Sequence, residues 1–357
     1  MKVAVIGCGT IANMQHIPAY LKNKDAEIKY FCDIIPERAE EAVKKYGCGT
    51  AVTDYKEVLA DPEVEAVSIC TPNNMHSIIS VEAMRAGKNV LCEKPAGRVL
   101  SDALMMQKVQ HETGVVLNIG VVNRFSPAVN ALKKLISDGE LGEIFHVYVS
   151  FRCHRSIPGL GGDFTNKAIS GGGVLIDWGV HFLDIVMYCC NDPAPKTVTA
   201  EAFCKLGKNI KDYVYPGTMW AGPPKLDGVY DVDDSVTALV RTEGPTITVN
   251  GAWAQNIDET EMFIDFMGDK GGARLDYYSK EFTVYTTKDG ELYEYTPSIE
   301  ETNSFEIEID EFLKCIKSGK KLPSHIDTNI ITARMMQAMY DSSNAHREIV
   351  LEESKND

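Results

Sequence analysis

Two architectures in succession are predicted for this chain: an α/β half, then an α+β half with a large open, mainly antiparallel sheet. Three observations carry the prediction. Apolar strands alternate with helices from Val3 to Val121. A glycine fingerprint, Gly7-Cys8-Gly9-Thr10-Ile11-Ala12, lies between the first strand and the first helix. From Thr197 onward, short strands follow one another, several across tight turns such as Gly268-Asp269-Lys270-Gly271 and Lys288-Asp289-Gly290. Alternation of strand and helix implies a parallel sheet with right-handed crossovers. Consecutive strands joined by short turns imply antiparallel neighbours.

The 357 residues exceed what one compact core holds, so two domains are expected, at 1–122 and 123–357. The formal charge of −15 repels phosphate backbones and anionic lipid, which argues against nucleic-acid and membrane partners. The apolar run after Met1-Lys2 is too short for a signal-peptide core, and no run approaches a membrane span. Ten cysteines are scattered without a Cys-x-x-Cys pair, so buried free thiols in a reducing cytoplasm are expected and no metal site is.

Val3 to Ile6 is a buried strand. Gly7 permits the tight turn after it, Gly9 lets the backbone approach a pyrophosphate, and Ala12 lets the helix pack close. The helix start, at Thr10 and Ile11, then turns free N–H groups to the phosphates. The second strand, Ile28 to Cys32, ends in Asp33, about 20 residues beyond the fingerprint, where a carboxylate binds ribose hydroxyls and repels a 2′-phosphate. NAD is therefore favoured over NADP. Arg38 tempers this, since an arginine accommodates that phosphate; it could equally stack on adenine or pair with Glu37 or Glu41.

Pro36 to Tyr46 and Tyr55 to Ala60 read as helices. Ala66 to Cys70 is a strand ending in Thr71-Pro72-Asn73, which makes Thr71 and Asn73 cofactor-contact candidates. His76 follows at a helix start, where a solvated cap is the bland alternative to a cofactor contact. The strand Asn89-Val90-Leu91 leads into Cys92-Glu93-Lys94-Pro95, and proline cannot continue a sheet ladder. Lys94 thus stands at the carboxyl end of a strand, where open α/β sheets bind ligands. Ser101 to Thr113 is a helix with Ser101 as its cap, and Val115 to Val121 is a further strand, completing a dinucleotide-binding domain.

After Asn123-Arg124-Phe125 the rhythm changes. Pro127 to Asp138 is a helix and Ile144 to Arg152 a strand. A glycine-rich stretch runs from Pro158 to Gly171-Gly172-Gly173. Asp177, His181 and Asp184 then recur at i, i+4 and i+7, one face of an otherwise apolar helix. Two acids and a histidine are costly in such a helix unless paired. Either His181 is a core histidine satisfied by Asp177, or it is an acid-oriented general base. Arg124, Arg152, His154, Arg155, Asp163, Asn166 and Trp178 border the expected substrate cleft. Trp178 could stack on a sugar ring or pack in the core; Arg152, His154 and Arg155 could bind an anionic group or line a solvated loop. Helices at Ser304–Ser318 and 328–345 close the chain, with a possible return onto the first domain.

In this fixed order the motifs resemble the Gfo/Idh/MocA family, named for glucose–fructose oxidoreductase, inositol dehydrogenase and a rhizopine-catabolism protein. The resemblance rests on the fingerprint, Thr71-Pro72-Asn73 with His76, Glu93-Lys94-Pro95, Asn123-Arg124-Phe125, and Gly171-Gly172-Gly173 through Asp177, His181 and Asp184. It implies a Rossmann domain and a C-terminal α+β domain that pairs into a homodimer or homotetramer through its sheet. It implies an NAD-dependent dehydrogenase acting on a ring hydroxyl or ketone of a sugar, glycoside or cyclitol. By position, Lys94, Asp177 and His181 match the catalytic group. Gly7, Gly9, Thr10, Ile11, Asp33, Thr71, Asn73, His76, Glu93, Lys94 and Asn123 match cofactor contacts. NAD-assisted glycoside cleavage through transient ring oxidation is the alternative reaction. A non-catalytic NAD-binding regulator is a third reading, against which the intact Lys94, Asp177 and His181 argue.

Overall fold

The computed structural model describes residues 1–215, 221–300 and 302–351. They divide into two compact units, Met1–Phe125 with Asn303–Ile330, and Ser126–Thr302 with the chain from Ile331 onward. The division differs from the expected one at 122/123: residues 303–330 join the first unit because the helix Ser304–Ser318 buries Ile309, Phe312 and Leu313 in its core.

In the first unit the strands are β1 (Lys2–Ile6), β2 (Glu27–Cys32), β3 (Thr50–Val52), β4 (Ala66–Ile69), β5 (Asn89–Glu93) and β6 (Leu117–Gly120). They form one parallel sheet in the order β3-β2-β1-β4-β5-β6. Strand order reverses between β1 and β4, so a crevice opens at their carboxyl ends, the usual ligand position of such sheets. The helices Pro36–Tyr46, Asn73–Arg85 and Leu100–Thr113 cross between strands. The first and last end on Gly47 and Gly114 in left-handed backbone, the conformation glycine adopts without a Cβ penalty. Ser101 is not the cap expected of it. Val99 takes the cap position, and the first-turn Asp102 carboxylate accepts the Arg98 N–H instead.

The second unit is built on β7 (Ile144–Arg152), β8 (Pro195–Phe203), β9 (Ser235–Thr242), β10 (Thr246–Ala252), β11 (Glu261–Gly268), β12 (Gly271–Asp276), β13 (Phe282–Lys288), β14 (Glu291–Tyr295) and β15 (Ile349–Val350). Among the described residues they form a nine-stranded sheet, β14-β13-β12-β11-β7-β10-β9-β8-β15. All neighbours are antiparallel except β7 and β10. β14 escapes the sequence reading because it is exposed along most of its length and carries no apolar alternation.

The alternate residues Val147, Val149 and Phe151 of β7 face a core that includes Phe182, Leu183 and Val186 of the helix Val180–Cys189. Phe151 and Phe182 stack with ring centroids 4.9 Å apart. Each such side chain contributes about 1.5–3 kcal/mol by leaving water. The helical run Lys167–Cys189 is long and apolar enough to cross a membrane, which the sequence reading did not anticipate; 83% of its apolar window is buried in the protein, as in a core helix.

Candidate active site

The fingerprint of the first unit is locked by its own backbone. Gly7 has φ +93°, and a Cβ there would stand 2.5 Å from the Cys70 carbonyl oxygen, so no other residue fits. Nothing lies within 4 Å of a Cβ built on Gly9. Packing does not require that glycine, and the open space suits a pyrophosphate approaching the backbone. The helical run that follows is not regular α-helix: residues Ala12–His16 form a π turn before the α-helix Ile17–Lys22. Such turns recur at functional sites.

Asp33 is 7% exposed and both its oxygens accept backbone N–H groups, from Cys8 at 2.8 Å and from Ile35 at 2.9 Å. The acid therefore braces the fingerprint turn and holds its carboxylate in one orientation at the end of β2. Arg38 lies exposed on the helix Pro36–Tyr46. At the end of β4 the Thr71 hydroxyl is buried and has no hydrogen-bond partner among the described residues. An orphaned hydroxyl at the crevice, with the open space before Gly9, fits a bound dinucleotide. Asn73 opens the next helix, and Asn123, 5% exposed, lies in the short helical turn after β6. Burial pushes the Cys8 and Cys32 thiols up to about 12, so neither is a nucleophile.

Lys94 is half-buried between the buried Glu93 and Pro95. Glu93 is held from two sides. Its Oε1 lies 2.8 Å from Nε2 of His16, on the π turn, and its Oε2 accepts the Lys94 N–H at 3.1 Å. His16 is fully buried; its Nδ1 lies 3.3 Å from the Ser68 hydroxyl, which bonds to the Tyr20 hydroxyl at 2.8 Å. Burial alone would raise the Glu93 carboxyl, but the His16 hydrogen bond and the His16, Lys94 and His76 charges outweigh it and hold it below the ordinary glutamate value. Gly120 makes room for this acid: a Cβ there would press on the Glu93 Cα, Cδ and Oε1 at 3.2–3.3 Å. His16, Ser68 and Tyr20 were not singled out from sequence; only the fold shows them meeting Glu93. His76 is not a solvated cap but 1% exposed, with each ring nitrogen against a backbone carbonyl.

In the second unit, residues Leu175–Gly179 form another π turn and Val180–Cys189 continue as α-helix. The structure divides the expected stripe. From Val174 to Cys189 every residue is buried except Asp177, Trp178 and His181. Asp184, expected on the same face, is 1% exposed. The His181 ring lies 6.4 Å from that of Tyr277, a residue not singled out from sequence, which stacks on Phe182 at 4.4 Å.

The start of this run is fixed by Asp233. Its carboxylate accepts the N–H groups of Gly173 (2.8 Å) and Leu175 (3.0 Å) and the Tyr340 hydroxyl (2.8 Å). A Cβ on Gly173 would collide with the Asp233 carbonyl, and one on Gly172 with the Tyr340 hydroxyl. Of the three consecutive glycines only Gly171 has positive φ, so the other two are required by close packing.

The remaining substrate candidates separate clearly. Arg152 is bound to Glu261, Nη2 to Oε2 at 2.6 Å, and Arg155 to the Gln255 carbonyl and the Asn256 side chain. The Arg152 charge is paired with a carboxylate, while the Arg155 donors rest on neutral oxygens within the unit. His154 and Asp163 are exposed, and the Asn166 side chain caps the turn Lys167–Ser170. Arg124 is 1% exposed and donates to the Pro323 carbonyl at 2.9 Å, tying residues 303–330 to the first unit. Trp178 alone among these stands half-buried beside Asp177 and His181.

Residues 1–121 match a family described as an oxidoreductase family with an NAD-binding Rossmann fold, and residues 129–274 match the GFO/IDH/MocA C-terminal domain. The chain is 30% identical over 346 residues to a D-glucoside 3-dehydrogenase of Escherichia coli, covering 96% of this chain and 95% of that protein. It is 27% identical over 329 residues to an inositol 2-dehydrogenase of Rhizobium meliloti, covering 90% of each. Among solved structures, a levoglucosan dehydrogenase in complex with NADH shares the fold with TM-score 0.85 at 21% identity, over 99% of each chain.

Proposed function

Because this chain belongs to the GFO/IDH/MocA family of NAD-binding oxidoreductases, we propose that it oxidises a ring hydroxyl of a sugar, glycoside or cyclitol by hydride transfer to NAD, or runs the reverse reduction. The observation that carries this reading is the selective partial exposure of Asp177, Trp178 and His181 on a helix otherwise buried from Val174 to Cys189. A structural histidine and acid would be buried with their neighbours, as Asp184 is. Relatives named for a glucoside 3-dehydrogenase and an inositol 2-dehydrogenase support the substrate class.

When bound, NAD supplies the hydride acceptor. The backbone of Gly7, Gly9, Thr10 and Ile11 would hold its pyrophosphate, Asp33 its adenosine ribose, and Thr71, Asn73 and Asn123 its other half. Loss of hydride from a carbinol carbon requires the hydroxyl proton to leave as well. His181 takes that proton, since an imidazole is the side chain poised for it at neutral pH, a contribution of about 10²–10⁴ in rate. Asp177 stabilises the imidazolium that results. Lys94 contributes a fixed positive charge toward the oxygen that becomes negative. Trp178 offers a flat apolar face to the ring of the substrate.

The test is a panel of methyl glycosides, free sugars and inositols with NAD, followed at the nicotinamide absorbance. Reduction with one or more of them, abolished by His181→Ala, is expected; silence across the panel in both directions sinks the reading. Aglycone release without net NADH would instead select the cleavage reaction. All ten cysteines are free, which suits a reducing cytoplasm. Tyr285 and the 94% exposed Leu292 share one face of the second sheet, opposite the buried Val284, and support pairing of subunits through that sheet.

A further inference from the structure

The carboxyl ends of β4 and β5 are joined through one buried side chain. His76, on the helix Asn73–Arg85, is 1% exposed. Its Nδ1 lies 2.8 Å from the Pro95 carbonyl oxygen and its Nε2 2.8 Å from the Thr71 carbonyl oxygen. A carbonyl oxygen only accepts. A neutral imidazole has a single N–H, so one of its nitrogens would aim a lone pair at a carbonyl lone pair. Away from water that repulsion is poorly screened. Both contacts are hydrogen bonds only if the ring carries two protons and a positive charge.

The surroundings accept that charge. The titratable groups facing the ring among the described residues come from β5: the Cys92 thiol and, further out, the Glu93 carboxylate, whose proton affinity the ring's charge helps to lower. The segment before the helix carrying His76 and the segment after Lys94 present carbonyls. Burial pushes His76 down, but Cys92 and the two carbonyls outweigh it and raise it to about 9. With both N–H groups engaged by the protein, His76 has none left for a ligand, so the direct cofactor contact expected from sequence gives way to a different role.

We propose that His76 is a positioning residue: a doubly protonated clamp that fixes the Thr71–Asn73 segment against the Glu93–Pro95 segment, so that the nucleotide site and the Lys94 backbone are set together and loosen together when the ring loses a proton. The inference rests on the NAD reading for what the two segments hold, but not for the protonation itself.

The experiment uses the full chain with ¹⁵N-labelled histidine, and His76→Gln to assign the ring. In the wild type both ring nitrogens are expected to be protonated at neutral pH, with one proton lost near the raised value. NADH affinity, read by protein-to-NADH energy transfer, is expected to fall about tenfold over the same range, as for one hydrogen bond lost. His76→Phe is expected to bind NADH about tenfold more weakly at neutral pH and to lose that pH dependence. A neutral His76 ring at neutral pH overturns the proposal, and this measurement stands even if His76→Phe does not fold. A folded His76→Phe with wild-type affinity and pH profile overturns it equally. A doubly protonated ring in a chain that binds no NADH at any pH supports the clamp and removes the NAD reading instead.

Discussion

Replacing His16 by phenylalanine keeps a ring of similar size in the π turn and removes the donor to Glu93. The carboxylate stays buried, 7% exposed, with the Lys94 N–H still on Oε2 but Oε1 deprived of its partner at 2.8 Å. A hydrogen bond to a charged group is worth about 1.5–3 kcal/mol, and leaving a buried charged acceptor unpaired costs about 3 kcal/mol or more. The overlap, about 3 kcal/mol, is the expected destabilisation. At about 2–4 °C per kcal/mol it lowers Tm by roughly 6–12 °C. The pH dependence has a definite sign. Glu93 is held below its ordinary value, so its contribution is present above the unfolded glutamate pKa and is lost as pH falls through the depressed folded value. The deficit of His16→Phe is therefore largest at neutral pH and shrinks in acid. Urea unfolding of His16→Phe, Glu93→Gln and the double variant closes a cycle. If the two single losses add to within about 0.5 kcal/mol, the two residues are not coupled and the reasoning is refuted.

Gly9→Ala should leave Tm unchanged, since nothing lies within 4 Å of the new Cβ, while NADH titration shows binding weakened about tenfold or more. Gly7→Ala, by contrast, should fail in both measurements, because its Cβ meets the Cys70 carbonyl at 2.5 Å and its φ is +93°. Asp233→Ala strips acceptors from the Gly173 and Leu175 N–H groups and the Tyr340 hydroxyl; a loss of at least about 3 kcal/mol is expected by calorimetry, with turnover falling as the helix start loosens. Lys94→Ala and His181→Ala should each lower kcat by about 10²–10⁴ with NADH affinity retained; wild-type turnover in either one removes that residue from the chemistry.

Much of the first unit was legible because its signals are local. The strand–turn–helix around Gly7, the acid closing β2 and the proline closing β5 each lie within a few residues of the backbone feature they control. The helix boundaries at Pro36–Tyr46 and Ser304–Ser318 follow from proline, glycine and charge placement alone. What stayed hidden depends on residues far apart in sequence. His16 meets Glu93 only once the first unit has folded, and Asp233 meets Gly173 only once the second has. The burial of Asp184 was hidden for a related reason: a sequence period groups residues on one face but does not show how far the core wraps around the helix. The 3.6-residue period grouped Asp184 with His181, while the fold groups Trp178 with it and buries Asp184. In the basic cluster, charge in the sequence does not reveal a partner such as Glu261, contributed by another strand.

The return of residues 303–330 to the first unit bears on how the protein is made. Ile309, Phe312 and Leu313 complete the core that holds Val3, Val5, Ile17 and Tyr20, and Phe305 packs near the His16 ring at 6.0 Å. On the ribosome, Met1–Phe125 emerges long before that segment exists. The nucleotide-binding half must therefore wait, with part of its apolar surface uncovered, until residues 303–330 have been synthesised. Strands β7 to β14 of the second unit, interrupting the first, emerge before the segment that closes the first unit, whereas β15 follows it. Cofactor binding is thus acquired only once residues 303–330 have emerged, and a fragment ending at Phe125 should be insoluble rather than a small NAD-binding protein.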